Sequence, residues 1–299
     1  MTVITIALVG LDWGSSQLRA YAFDANGRVV AKRNSAAGAM KLQSPQAFRE
    51  ALYELVDQDA QWCRAPRIAC GMVGARGAWV EAGYCAVGAD VAQIAEHLSV
   101  IEFSDVPPLW VVPGIASLAP DVMRGEETQL LGAGITDGVV VLPGTHSKWA
   151  VISGGTIASF TTYFTGEMNA LIRTQSTVGR VLSQNAQIND AALDRGIAMA
   201  RSQMSWLTTL FSFRARAVAQ GADAQLLSNE FSAWLIATEL LHALPETRMY
   251  REIFIVGSEQ LSDWYAAIAQ RLDVPAHKLD SDQCVTAGLW RLALAKALV

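Results

Sequence analysis

The chain has only four cysteines, Cys63, Cys70, Cys85 and Cys284, and no two of them form a C-x-x-C pair. That is too few for a disulfide framework, so a reducing compartment, the cytoplasm, is the expected setting. Charge is also sparse: charged residues make up 17% of the chain and the net charge is -5. Nucleic-acid backbones are held by clustered Lys and Arg, so this balance argues against such a partner. It does not exclude a mononucleotide, whose phosphates need only a local cradle. No apolar run is long enough to cross a bilayer. The apolar start, Met1 to Leu11, lacks a basic leader and runs directly into Asp12, so it reads as a buried strand and not as a signal peptide. Glycine (23) and proline (9) are too few for a disordered or low-complexity protein.

Several chemistries are missing as well. Gly144–Lys148 is too short for a P-loop, which needs four residues between its glycines. No G-x-G-x-x-G follows the first strand, which removes a dinucleotide fold, and Ser147 lacks the G-x-S-x-G elbow of a hydrolase. The four histidines, His97, His146, His242 and His277, have no metal spacing.

What is present is a core-forming chain of 299 residues, 52% hydrophobic, long enough for roughly two domains. Val3–Leu11 is an apolar, β-branched run suited to a strand buried on both faces. A polar turn, Asp12-Trp13-Gly14-Ser15-Ser16, precedes a second strand at Leu18–Phe23, and Asn26-Gly27 predicts a hairpin into a third at Arg28–Lys32. Ser44-Pro45 caps a predicted helix over Gln46–Ala60. Buried strands follow at Ile68–Val73 and Leu109–Pro113, a short helix at Val91–Leu98 and a helix start at Glu126–Gly132. At Val139–Leu142 the opening pattern returns: strand, polar turn (Pro143–Lys148), strand (Trp149–Ser153), Gly154-Gly155, strand (Thr156–Thr162). The rest is helical in pattern (Gly166–Gln175, Ala191–Leu210, Asp223–Leu244, Asp263–Leu272, Cys284–Leu298), with one buried strand, Ile253–Val256, ending in Gly257-Ser258. Two copies of one unit explain the repetition, with a boundary near Gly132–Gly138.

Tight turns of glycine and hydroxyl residues aim backbone N–H groups at a common point and bind anions. Either turn alone reads as an ordinary hairpin; the pair, with Asp12 and Gly257-Ser258, reads as a triphosphate clamp. Asp12 ends an apolar strand and needs a partner such as Mg²⁺ or its water shell. Lys148 offers a point charge to a phosphate. In Asp121–Gln129, Glu126 and Glu127 are either a charged first turn or hold a general base that deprotonates an attacking hydroxyl, and the two readings balance. A planar guanidinium suits a carboxylate ligand, making Arg76, Arg173 and Arg214 candidates, each also readable as a surface ion pair.

The opening strand–turn–strand, Leu11–Ser16, resembles the first phosphate motif of the actin-like ATPase and hexokinase superfamily. Leu142–Trp149 takes the place of its second phosphate motif, Ile253–Ser258 of its adenosine motif and Thr286-Ala287-Gly288-Leu289 of its second connecting helix. Within it, Gly71-Met72-Val73-Gly74, VMRGEETQLLG (Val122–Gly132), PGTHSKW (Pro143–Trp149) and Thr165-Gly166-Glu167 are similar to the 2-dehydro-3-deoxygalactonokinase family, over essentially the whole chain. Gly74–Trp79 and Glu81–Tyr84 depart from that family's commoner pattern, in which a Pro precedes the Tyr.

The resemblance implies an α/β fold of two ribonuclease-H-like domains with a cleft between them, over residues 1–135 and 136–299, the last helix packing back on the first. It implies ATP and Mg²⁺, with Asp12 orienting the metal or its water and Glu127 or Glu126 as base. Gly14, Ser15, Ser16, Gly144, Thr145, His146, Ser147, Lys148, Gly257 and Ser258 would bind ATP. Met72, Arg76, Trp79, Glu167, Arg173 and Arg214 would line the sugar-acid site. The expected partners are ATP and a small sugar acid, with no nucleic acid or membrane, and a homodimer is left open. The rival readings are another sugar, sugar-acid or polyol kinase, and a non-enzymatic ATP-driven switch.

Overall fold

The computed structural model describes residues 5–202, 204–247 and 250–299, so Val3 and Ile4 of the expected first strand lie outside the described residues. The chain divides into two compact units. The first takes the chain as far as Asp137 together with Ile152–Phe160 and Asp280–Val299; the second takes Gly138–Val151 and Thr161–Leu279.

In the first unit β1 (Leu8–Trp13) is almost wholly buried, as a continuous apolar run requires. It pairs antiparallel with β2 (Leu18–Phe23), which puts Arg19 directly across from Asp12. The Asn26-Gly27 turn then leads into β3 (Val29–Ser35): Gly27 adopts φ +76°, and the Asp24 carboxylate accepts the N–H groups of Asn26 and Arg28. Ser44 caps α1 (Pro45–Leu52), accepting the Ala47 N–H at 3.2 Å. The helix predicted as far as Ala60 leaves α geometry after Leu52. Its continuation, Tyr53–Asp57, is a wide π turn that sets Asp57 against Arg49 and the fully buried Arg67.

β4 (Arg67–Gly71) runs parallel to β1 and places Cys70 beside Asp12. β5 (Tyr84–Ala86), α2 (Val91–Glu96), β6 (Ser99–Ile101), β7 (Leu109–Val111), β8 (Gly114–Ala116), β9 (Val122–Met123) and α3 (Glu126–Gly132) follow. The main sheet has the order β3-β2-β1-β4-β7-β6, and β5-β8-β9 form a small sheet that the sequence did not suggest, its strands being two or three residues long. The core on one face of the main sheet gathers Leu11, Trp13, Phe48, Leu52 and Trp62, with Trp79 packed against it.

The buried Arg67–Asp57 pair (2.8 Å) lets a mutation be priced in this unit. Burial lowers the Arg67 pKa, and Asp57 opposes that. Asp57→Ala strands a guanidinium in the interior, and urea denaturation should show a loss of about 3–5 kcal/mol.

The opening pattern recurs as β10 (Gly138–Leu142), β11 (Ser147–Ser153) and β12 (Thr156–Tyr163). Then come α4 (Thr165–Gln175), α5 (Asp190–Arg201), α6 (Trp206–Gln220), α7 (Ala224–Glu246), β13 (Ile253–Gly257), α8 (Glu259–Arg271), β14 (Ala276–Asp280) and α9 (Ser281–Ala295). The second sheet, β12-β11-β10-β13-β14, repeats the order of the first from its third strand to its fourth, and β13 lies parallel to β10 just as β4 does to β1. Val139, Val141, Ile253 and Ile255 pack beneath Leu193, Leu240, Trp264 and Ile268 of the helices.

One predicted helix is two. The apolar periodicity of Ala191–Leu210 is interrupted after Arg201, where Ser202 turns extended and its hydroxyl donates to the Met199 carbonyl at 2.8 Å. The second piece, α6, runs ten residues past the expected end and stops where Gly221 takes the left-handed conformation.

Candidate active site

In the first unit the ends of β1 and β4 and the turn before α3 meet. Gly71 has φ +91°, and a Cβ there would lie 2.7 Å from the Trp13 carbonyl oxygen. A Cβ on Gly125, at φ +101°, would lie 3.2 Å from the Gly71 Cα. Glycine is required at both because backbone meets backbone at positive φ. This junction gathers two carboxylates. Asp12 Oδ2 accepts from Arg19 Nη1 at 3.0 Å, and Oδ1 accepts from no described residue. Burial pushes the Asp12 pKa up and Arg19 draws it back.

Glu127 is fully buried. Its Oε2 accepts the Gly125 N–H at 2.6 Å and its Oε1 the Thr128 hydroxyl at 2.9 Å. Burial and the neighbouring charge of Glu126 push its pKa up to about 7. Glu126 is half-buried and accepts the Arg124 N–H, a turn-closing role. Cys70 lies within the field of both Asp12 and Glu127; burial and those two charges hold its thiol protonated. A carboxyl that titrates near neutrality in a dry setting is suited to accept a proton from an alcohol.

The first predicted phosphate turn, Gly14-Ser15-Ser16, follows β1. Its Gly14 and Ser15 carbonyls are tied to the N–H groups of Ala39 and Met40, and Ser15 and Ser16 are exposed. In the second unit, Gly144-Thr145-His146 packs on the start of α4: the Glu167 N–H donates to the Thr145 carbonyl at 2.8 Å. A Cβ on Gly166 would lie 2.0 Å from the Gly144 oxygen. His146 Nε2 pairs with Glu167 at 2.6 Å, and its ring stacks on Phe164.

Ser147 and Lys148 turn inward. Ser147 shares a hydrogen bond with the Tyr265 hydroxyl (2.9 Å), and Lys148 donates to Thr162 at 2.7 Å. Tyr265 and Trp149 both donate to the buried Glu239, each at 2.8 Å. This network fixes the strand that follows the turn. The Ser258 side chain is the cap of α8, and Gly257 sits against Pro143, 3.3 Å from where a Cβ would stand.

A cavity of about 260 Å³ opens in this unit, lined by Pro143, Gly144, Thr165, Arg173, Gln260 and Tyr265 among others. Thus the second phosphate turn and the helix after Gly257-Ser258 border one space. Arg173 reaches it but has no donor to offer. All five of its N–H groups are spent, on Asn169, the Ser183 carbonyl, the Ser228 hydroxyl and carbonyl, and Ser232.

Arg76 is exposed; Arg214 donates to the Thr177 carbonyl. Met72 packs against the core of the first unit, and Trp79 stacks edge-on to Trp13 and face-on to Phe48. Two partners were missed. Arg19 could have been read from the hairpin register, being opposite Asp12 across the turn. Glu239, a lone acid in an otherwise apolar helical stretch, carried no sign of what it bonds.

Among the described residues no three His, Cys, Asp or Glu side chains form a metal cluster, and no helix is long and apolar enough to cross a membrane. A Mg²⁺ carried by a nucleotide needs only one or two protein carboxylates, because phosphates and water supply the rest. The open Oδ1 of Asp12 fits that requirement.

The chain is similar to known proteins along nearly all of its length. A protein of Rhizobium meliloti (strain 1021) named as a 2-dehydro-3-deoxygalactonokinase is 32% identical over 95% of this chain and 96% of its own. The Escherichia coli (strain K12) 2-dehydro-3-deoxygalactonokinase is 29% identical over 98% and 100%. A crystal structure of a Sinorhizobium meliloti protein under the same enzyme name superposes with a TM-score of 0.87 at 31% identity, covering 96% of this chain and 98% of the other. The Acidaminococcus fermentans (R)-2-hydroxyglutaryl-CoA dehydratase component A (11% identity, TM-score 0.51, 96% and 98% covered) shares the fold alone. That fold is the actin-like ATPase fold, an α/β architecture of two related units. The model of the 2-keto-3-deoxy-galactonokinase family matches residues 12–292, from the first carboxylate to the last helix, and this chain belongs to that family.

Proposed function

We propose that this chain transfers the γ-phosphate of ATP to the 6-hydroxyl of 2-dehydro-3-deoxy-D-galactonate, a step of galactonate catabolism. The observation that carries the reading is the family match over residues 12–292, which spans both carboxylates and both turns. In this reading Glu127 takes the proton of the acceptor hydroxyl, its pKa of about 7 letting it act as a base at neutral pH. Asp12 would hold Mg²⁺, and the ion would supply neutralisation of charge on the phosphates. The backbone of Gly144-Thr145-His146 takes phosphate oxygens, and the cavity bordered by Gly144 and Gln260 takes the nucleoside. The free cysteines fit work in the reducing cytoplasm.

ADP release measured over a panel of acceptors tests the proposal. The ketodeoxy sugar acid should give the highest kcat/KM. Preference for a simple hexose, or ATP hydrolysis indifferent to any acceptor, would overturn it.

A further inference from the structure

Arg124 sits between β9 and α3, three residues before Glu127. Its guanidinium lies over the Tyr84 ring, 4.5 Å from the centroid, and Nη2 donates to the Gly83 carbonyl at 2.7 Å. Its Nε and Nη1 are buried and have no hydrogen-bond partner among the described residues, and no described carboxylate pairs with it. Buried donors left unpaired are costly, the more so on a charged group, and such orphans call for an explanation. The group is also closely placed: Nη1 lies 3.0 Å from where a Cβ on Gly74 would stand. Gly74 closes the turn after β4, and β4 ends at the Gly71–Gly125 junction that holds Glu127.

We propose that Arg124 binds the carboxylate of the acceptor and so makes the site select a sugar acid over a neutral sugar. The inference rests on the kinase reading above and adds the residue that discriminates. A guanidinium with unspent donors answers a carboxylate, whereas Arg173 has none left. Access requires Gly83 and Tyr84 to move off the guanidinium. That cover is the end of the small sheet, where the Gly83 carbonyl also accepts the Gly114 N–H at 3.1 Å and Tyr84 pairs with Gly114, so opening it costs one backbone hydrogen bond and the first pair of β5 with β8.

The test compares the ketodeoxy acid with its neutral primary amide in steady-state kinetics. It adds calorimetric binding of each compound without nucleotide, which reports on Arg124 even if turnover is absent. Wild type should prefer the acid. Arg124→Ala should raise KM for the acid roughly 10- to 150-fold, the range of a hydrogen bond to a charged group, while leaving kcat within a few-fold and KM for the amide unchanged. Arg124→Gln, which keeps bulk and a donor for Gly83, should lose the preference equally, and Arg124→Lys should keep part of it. Retained acid preference in both Arg124→Ala and Arg124→Gln would overturn the assignment. So would an equal loss on acid and amide, which marks a purely structural role. A wild type that binds the acid no better than the amide would overturn it too. If wild type instead binds the acid selectively yet phosphorylates nothing, the kinase reading fails and the Arg124 assignment stands.

Discussion

Glu127→Gln should lower turnover by about a hundredfold or more, the usual range for loss of a general base, with KM for ATP little changed. The isosteric amide keeps the hydrogen bond from Gly125 but cannot take a proton. Glu126→Gln, at the half-buried neighbour, should stay within a few-fold. Turnover of Glu127→Gln close to wild type would remove Glu127 from the role. The pH dependence supplies a second reading. With a pKa of about 7, the wild-type rate should rise through neutrality and level off above it.

Stability should move in the opposite sense. The folded carboxyl binds its proton more tightly than the unfolded one (about 7 against 4.5), so the native state holds more protons between those values. Its contribution to stability therefore falls as pH rises through that window and is constant above it. Glu127→Gln removes the penalty, and at pH 8 the variant should be more stable than wild type by up to about 3 kcal/mol. An inactive variant that melts later is the signature of a group held for chemistry and not for the fold.

Gly288→Ala should destabilise the chain by about 3 kcal/mol or more, although Gly→Ala inside a helix ordinarily gains up to about 1 kcal/mol. A Cβ at Gly288 of α9 would lie 1.9 Å from the Thr128 carbonyl oxygen of α3, and one at Gly132 of α3 would lie 1.8 Å from the Cys284 oxygen. Both obstacles are helix backbone, so no rotamer change relieves the overlap and one helix must shift. Thr128 also donates to Glu127, so the shift should carry over to turnover. Urea denaturation and melting curves read the first effect, initial rates the second. A melting temperature equal to or above that of wild type would show that the helices do not cross so closely.

What could be read from the residues is local or repeated. Asn26-Gly27 fixed a hairpin, Ser44-Pro45 a helix start, and continuous β-branched runs the buried strands, because each depends on backbone preferences within a few residues. The return of strand, turn and strand at residue 139 marks a second copy of one unit, and the strand order that the two sheets share became visible only through their pairing. Short segments carried too little pattern: β5, β8 and β9 exist through pairing with one another, and the end of α5 turns on one serine hydroxyl.

The site divides along the same line. Residue type and spacing placed Asp12, the glutamate pair and the glycine–hydroxyl turns on the page without any coordinates. Packing decided what each does. It buried Glu127 beside Cys70 and left Glu126 to close a turn. It turned Ser147 and Lys148 inward, spent every donor of Arg173, and left Nε and Nη1 of Arg124 without hydrogen-bond partners among the described residues. The physical reason is that a pKa or an open hydrogen-bonding group is a property of the surroundings, supplied here by residues far away in the chain or by backbone atoms that bear no mark in the sequence.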